Sequence, residues 1–486
     1  MYSMKKRVGN WSKRKRIVLG TAGVLALLYI GIIIWHTYKP LPAGISYTGE
    51  LHEVEDVEMF YDLSYALDKE GTGMEHELRI FDEINDMIDR AEEFIVLDFF
   101  LFDNYNDQKT DFPAIAENLT DHLLKKKKDN PDMPIYFITD PLNEGYGSYE
   151  SELLGMLEDA GVEVIVTDLD KLRDSTPLYS GFYRAFFQWF DTGGKGWIPN
   201  GMSSDAPDLS LASYLKMMNI KANHRKAVIT EQEAMVSSAN PHNASGFHGN
   251  MAFKVSGPVL NDMLESEEAV SKMSGGPDLP RTDVEDQQGE YQVQYITERK
   301  ILDALLADFE KAQKGDRIRL AMFYVAESDI LAALTDAANR GVEVELILDP
   351  NQNAFGNEKT GLPNRPVVNE MLEESNDQLK VRWYNTVIGQ FHTKTIMIET
   401  AEETIISGGA ANYTERALDN YNLENNIRII APNDSELANT MNDYFNRLWN
   451  NEDALYTLDT EEYQDGFSFW QRGIYGFQKL FKLTTY

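Results

Sequence analysis

The chain contains no cysteine, which excludes both a disulfide and a thiolate nucleophile. Basic residues are scarce outside one block. The first sixteen residues hold Lys5, Lys6, Arg7, Lys13, Arg14, Lys15 and Arg16 and no acid, and the rest carries 38 basic against 79 acidic residues, a balance of −41. Such an exterior is well solvated and repels polyanionic nucleic acid over about 10 Å at 0.1 M salt. Histidine is rare as well, eight in 486 residues, so its placement carries information. Long apolar runs are limited to one.

That run, residues 17–35, reads IVLGTAGVLALLYIGIIIW without a charge. At 1.5 Å per residue it reaches about 28 Å, close to the hydrocarbon thickness of a bilayer. It ends in Ile-Ile-Ile-Trp-His rather than a small-x-small cleavage site, which favours a retained single-pass anchor over a signal peptide. The basic block before it places the N-terminus in the cytoplasm and the body on the extracytoplasmic side. Trp35 and Tyr38 stand where an interfacial aromatic belt would.

After an irregular acidic stretch at 40–68, the same order of elements occurs twice. Helical spacing over 80–88 precedes a buried strand at 94–102, a helix at 114–128 and a strand at 135–139 closed by Asp140-Pro141. A helix at 150–160 and a strand at 162–166 follow. The second series has a helix at 301–309, a strand at 318–324, a helix at 330–339 and a strand at 342–348 closed by Asp349-Pro350. It continues with a helix at 367–374 and a strand at 379–384. Alternating strands and helices predict an α/β fold of parallel sheets with helices outside. The chain therefore divides into a basic N-terminus (1–16), an anchor (17–35), a juxtamembrane segment (36–74), a first half (75–273), a Gly/Pro-containing linker (274–290), a second half (291–454) and a tail (455–486). Two aromatic segments break the symmetry: 178–197, with eight aromatics in twenty residues, and the acid-free stretch from Phe467 onward. Both read as interfacial membrane contacts.

Each half then presents a histidine two residues before a lysine. His224-Arg225-Lys226 and His392-Thr393-Lys394 each open an apolar run and lead to a small-residue turn ending in Asn240 or Asn412. On an extended segment i and i+2 share a face, so an imidazole and an ammonium stand side by side, a pairing suited to phosphate. One His-x-Lys/Arg step is weak, since chance supplies up to about 0.7 in a chain of this composition. Two at matching places in a duplicated pattern is strong.

On these residues the chain resembles the phospholipase D superfamily over roughly residues 75 to 450. It keeps both His-x-Lys steps and both asparagines. It has Glu231 and Glu399 where the family has Asp five positions after the Lys, and Ser237-Ser238 where Gly-Ser is usual. The resemblance implies two fused, pseudo-twofold halves of the phospholipase D type. It also implies a site built from His224, Lys226, Asn240, His392, Lys394 and Asn412, with Glu231, Glu399 and Asn250 in support. One histidine would attack phosphorus, the other would protonate the leaving alkoxide, and lysines and asparagines would hold the phosphoryl oxygens. No cofactor and no metal is implied, and no His/Asp cluster has metal-ligand spacing. Family members place a carboxylate behind each imidazole. Glu424 fits that place in the second half, and Asn250 stands there in the first. With Glu424 assigned to His392, His392 is expected to be the general acid and His224 the nucleophile. Asp140 and Asp349 read as structural, His242 and His248 as surface or supporting residues, and Arg416 as a phosphate ligand or a plain salt bridge.

The implied function is a membrane-anchored phosphodiesterase or phosphatidyltransferase acting on phospholipid through a phosphohistidine, with cardiolipin synthesis its most concrete form. Its rivals are a membrane-tethered nuclease, which calls for a basic channel, and a catalytically inactive scaffold. The expected partners are phospholipid and the membrane, not nucleic acid. Both half-sites occur in one chain, so an oligomer is not required.

Overall fold

A computed structural model describes residues 13–106, 110–190, 192–203, 205–284, 288–354, 357–358, 361–387 and 389–463. Residues 1–12 and the aromatic tail from 464, where a membrane contact is expected, lie outside the described residues.

The fold is mixed α/β with two large sheets. The first runs from edge to edge as Glu75–Glu77, Val57–Tyr65, Asn250–Ser256, Glu233–Ser237, Lys226–Thr230, Ile95–Phe99, Ile135–Thr139 and Glu163–Val166. The second runs His52–Val54, Tyr291–Thr297, Asn425–Ala431, Thr404–Gly409, Lys394–Glu399, Arg317–Met322, Glu343–Leu348, Lys380–Tyr384 and Thr457–Asp459.

The expectation of parallel sheets is corrected. Only the three strands joined by helices in each half pair in parallel. The strands opened by Lys226 and Lys394 lie antiparallel to both neighbours. The reason is connection length. Lys226–Thr230 reaches Glu233–Ser237 through Glu231 and Gln232 alone, and a tight turn reverses the chain where a parallel return needs a long crossover.

The acidic stretch after the anchor is also more regular than expected. His52–Val54 pairs with the second sheet and the nine-residue strand Val57–Tyr65 with the first. Its alternation is obscured because Asp62 is buried beside Leu63 and Ser64. The Asp62 carboxyl accepts the Arg79 and Ile80 N–H groups (2.7 and 3.1 Å), which start the helix Ile80–Arg90.

The two sheets face each other across one core. Val236, Met251 and Phe253 of the first join Ile406, Ile427 and Ile429 of the second. Gly408 lies so close under Phe253 that a Cβ there would stand 2.6 Å from the ring. Separate apolar clusters seat Ile80–Arg90 and Ile115–Asp129 on the outer face of one sheet, and Arg299–Lys311 and Ser328–Asn339 on that of the other. The layers are helix, sheet, sheet, helix. Each fully buried Leu, Ile or Phe contributes about 1.5–3 kcal/mol, so the shared core fixes the halves against each other. The N-terminal helix, Lys13–Tyr38, is long and apolar enough to cross a membrane, and its apolar side chains are largely exposed.

Candidate active site

Each His-x-Lys motif enters the centre as a short parallel bridge to the opposite half. Asn223 pairs with Leu423 and Phe391 with Gly249. His224 N–H donates to the Leu423 carbonyl at 2.9 Å, and Gly249 N–H to the Gln390 carbonyl at 2.8 Å. The residue after each bridge then meets the imidazole from across the interface. His224 Nδ1 lies 2.7 Å from Glu424 Oε2, and His392 Nδ1 lies 3.1 Å from Asn250 Oδ1. This corrects the expected pairing: Glu424 stands behind His224 and Asn250 behind His392. Pairing between halves, not order along the chain, decides which side chain backs which ring.

The rest of the machinery is matched. Asp140 accepts the Asn223 N–H and Asp349 the Phe391 N–H, each at 2.7 Å, so both hold the backbone just before a histidine. That agrees with their structural reading. Burial pushes both carboxyls up to about 7, against the backbone N–H bonds they receive. Lys226 Nζ donates to the His224 carbonyl and Lys394 Nζ to the His392 carbonyl, each at 2.7 Å. Phe100 packs against His224 (ring centres 5.0 Å apart) with Lys226 Nζ 5.4 Å from its centre, and Phe323 stands likewise with His392 (5.1 Å) and Lys394 (5.4 Å). Sequence reasoning missed this aromatic pair. Each Phe immediately follows the strand beside a motif strand, Ile95–Phe99 or Arg317–Met322, and that shared position was its only signal.

The two half-sites share one electrostatic environment. Burial lowers the pKa of both imidazoles, and the charges of Lys226 and Lys394 both act on each ring in the same direction. A hydrogen bond with the Ala410 backbone, in the small-residue turn of the other motif, opposes the shift at His224. Burial brings Lys226 down to about 7 and Lys394 well below the ordinary lysine range, Lys226 adding to the latter shift. Burial pushes Glu424 up to about 8 while Lys226 opposes it. Burial thus favours neutral imidazoles and weakens the hold of both lysines on their protons, and a bound anion would restore their charged forms.

The remaining predicted residues divide. Asn240 Oδ1 accepts the Leu101 N–H at 3.3 Å beside the cluster. Asn412 Oδ1 is buried with no hydrogen-bond partner among the described residues. Glu231 and Glu399 lie at the far ends of their strands, about 17 Å along from the lysines at 3.3 Å per residue. Glu231 accepts the Glu92 and Glu93 N–H groups (2.8 and 3.2 Å), and Glu399 accepts from Asn442 at 3.0 Å. They fasten the sheets rather than enter the cluster. His242 is engaged by Ser245 at 2.7 Å and Asp103 at 3.4 Å. His248 stands closer to the chemistry than expected, its ring centre 5.7 Å from that of His392. Arg416 donates to the Ile220 carbonyl at 2.6 Å and to Ser175 Oγ, joining the second half to the segment that leads into His224.

Residues 292–449 match the family described as cardiolipin synthase, PLD-like domain. The crystal structure of phosphatidylserine synthase from Haemophilus influenzae Rd KW20 is similar over 89% of this chain and 95% of its own, with a TM-score of 0.56 and 12% identity. Polyphosphate kinase from Porphyromonas gingivalis matches with a TM-score of 0.42 and 9% identity, over 87% of this chain and 56% of its own. Nuc, a phospholipase D family member from Salmonella typhimurium, matches with a TM-score of 0.27 and 21% identity, over 35% of this chain and 98% of its own. No curated protein matches the chain in sequence. The fold, two α/β lobes that each present a His-x-Lys motif, is shared with the phosphatidylserine synthase structure over nearly the whole chain. The second half, residues 292–449, is thereby a phospholipase D-like domain.

Proposed function

We propose that the chain is a membrane-anchored phosphatidyltransferase acting on phospholipid through a phosphohistidine, with cardiolipin formation from two phosphatidylglycerols as its reaction. The observation that carries this reading is the crossed pairing of His224 with Glu424 and His392 with Asn250, inside one buried cluster that also holds Lys226 and Lys394. The apolar N-terminal helix and the acidic body favour a lipid over a nucleic acid.

In the proposed reaction His224 Nε2 attacks phosphorus, and the bond from phosphorus to the glycerol oxygen breaks. His392, protonated once the anionic phosphate is bound, gives its proton to that oxygen, and glycerol leaves. Attack places positive charge on the His224 ring, and Glu424 at Nδ1 balances it. A hydroxyl of the second phosphatidylglycerol then attacks phosphorus, passes its proton to His392 and releases His224. Lys226, Lys394, Asn240 and Asn412 hold the phosphoryl oxygens throughout. His224 therefore keeps the nucleophile's role for a reason other than the one the sequence suggests: its carboxylate partner stabilises the adduct. His392, backed by a neutral amide, becomes a strong acid when protonated.

Purified protein given phosphatidylglycerol, phosphatidylcholine or single-stranded DNA, beside His224→Ala, tests the reading. Cardiolipin plus glycerol, lost in the variant, supports it. Phosphatidic acid alone makes the enzyme a hydrolase. DNA cleavage alone contradicts the lipid reading, and no turnover of any substrate favours a scaffold.

A further inference from the structure

The aromatic insert folds as the helix Pro177–Phe186, and that helix is inside out. Its buried residues are Ser180, Gly181, Tyr183 and Arg184. Its solvent side carries Leu178 (51% exposed), Phe182 (46%) and Phe186 (58%), continued by Trp189 (77%) and Phe190 (63%). Positions 178, 182 and 186 are spaced by four, so they line one stripe. Ser180, Gly181 and Arg184 face the protein with Tyr183 while the large apolar residues face outward, the reverse of a helix that lies in water on a globular body.

The partner of the buried side is the anchor. Gly181 sits so close to Lys13–Tyr38 that a Cβ would lie 2.4 Å from Ile33 Cγ1, a small-residue crossing of the kind membrane helices use. Tyr29 Oη donates to the Leu178 carbonyl at 3.0 Å. The end of the anchor is fastened by polar contacts. Asp174 N–H donates to the His36 carbonyl at 2.9 Å, Lys39 Nζ to the Asp170 carbonyl at 2.7 Å, and Arg173 Nε to the Lys39 carbonyl at 2.9 Å. The fully buried Asp174 carboxylate receives Arg184 Nε, Lys221 Nζ and Asn219 Nδ2, each at 2.9 Å. Anchor, insert and body are thereby one unit without a free linker.

We infer that Pro177–Phe186 is a second membrane element, lying in the headgroup–acyl boundary across the anchor with Leu178, Phe182 and Phe186 in lipid. The inference rests on reading Lys13–Tyr38 as membrane-spanning. A helix of ten residues reaches about 15 Å and cannot cross a bilayer. Its crossing at Ile33 lies five residues, about 8 Å, before the anchor's end at Tyr38, within the roughly 5–10 Å at which interfacial helices embed. A bilayer rather than a protein partner is the occupant because the exposed stripe borders an anchor whose own apolar surface is bare. The aromatic side chains Trp189 and Phe190 extend the same surface, as at a membrane–water boundary. The consequence is a catalytic body held in a fixed attitude on the bilayer rather than tethered loosely to it.

The cysteine-free chain allows a direct test. Single substitutions Leu178→Cys, Phe182→Cys and Phe186→Cys, with Leu25→Cys in the anchor and Lys128→Cys on the body, are labelled with an environment-sensitive fluorophore. The full chain is placed in phosphatidylglycerol/phosphatidylcholine nanodiscs containing lipids with a nitroxide near the glycerol or deep in the acyl chain. The three insert positions should lose emission to the shallow nitroxide, Leu25 to the deep one, and Lys128 to neither. Unquenched insert labels beside a quenched Leu25 label overturn the inference while the anchor stands. An unquenched Leu25 label removes the anchor and the inference with it. Quenching of the insert labels by the deep nitroxide alone contradicts the interfacial placement.

Discussion

Glu424 binds His224 Nδ1 at 2.7 Å although 200 positions separate the two residues. The matching contact, Asn250 to His392, spans 142 positions in the same crossed sense. The centre therefore exists only when both halves are docked, and its two imidazoles differ in whether an ionisable group stands behind them.

That difference can be inverted. Asn250→Asp would place a carboxylate behind His392, favour its imidazolium and raise its pKa. If His392 supplies the proton, the high-pH limb of kcat/KM moves to higher pH in the variant. Glu424→Gln should lower kcat by about 10- to 100-fold, as loss of a partner that orients and charges a reacting imidazole does. A pH–rate profile of each variant checks both.

The lysines make binding pH-dependent. Lys226 is held down to about 7 by burial, and a bound phosphodiester favours its charged form. As pH rises above about 7 the free site loses this cation. KM should rise with pH while kcat, measured on the occupied site, changes less. Lys226→Ala and Lys394→Ala should each lower kcat by about 10²–10³, the loss typical of one donor to a developing oxyanion. Steady-state kinetics between pH 6 and 9 separate these effects.

The buried carboxyls beneath the motifs affect stability with the opposite sign to most acids. Asp140 and Asp349 titrate at about 7 in the fold, above their unfolded value, so the folded state binds more protons. Their contribution is complete below about pH 4 and is lost as pH rises to about 7. Asp140→Asn leaves either the Leu142 or the Asn223 N–H without its acceptor, at a cost of about 1–3 kcal/mol. The variant should be less stable than wild type at pH 5, and the gap should narrow toward pH 7.5. Thermal unfolding in detergent across that range measures it.

Asp174 is the reverse case. Burial pushes its carboxyl up, but Lys221 and Arg184 outweigh that and hold it below the ordinary range. Asp174→Ala leaves two buried cations without this partner and should cost about 3–5 kcal/mol. Chemical unfolding of wild type and variant at pH 7 reads the difference.

Much of this was legible in the chain. The strands at Ile135–Thr139 and Lys394–Glu399, the Asp-Pro closures and the paired His-x-Lys steps follow from local pattern, because periodicity and turn residues act over a few positions. What could not be read depends on which distant segments meet. Nothing near Glu424 indicates that it faces His224. His248 carries no signal for its place beside His392, and the antiparallel course of the motif strands is set by turns, not composition. The insert's aromatic content pointed to lipid, but the contact of Gly181 with Ile33 joins segments 148 residues apart in sequence.

The most direct measurement is of the covalent intermediate. Turnover on phosphatidylglycerol is quenched in base, where phosphohistidine survives, and the peptides are mapped by mass spectrometry. The expected result is a phosphatidyl adduct on His224 that is absent in His224→Ala. An adduct on His392 would reverse the two roles, and turnover with no adduct on either histidine would contradict the proposed chemistry.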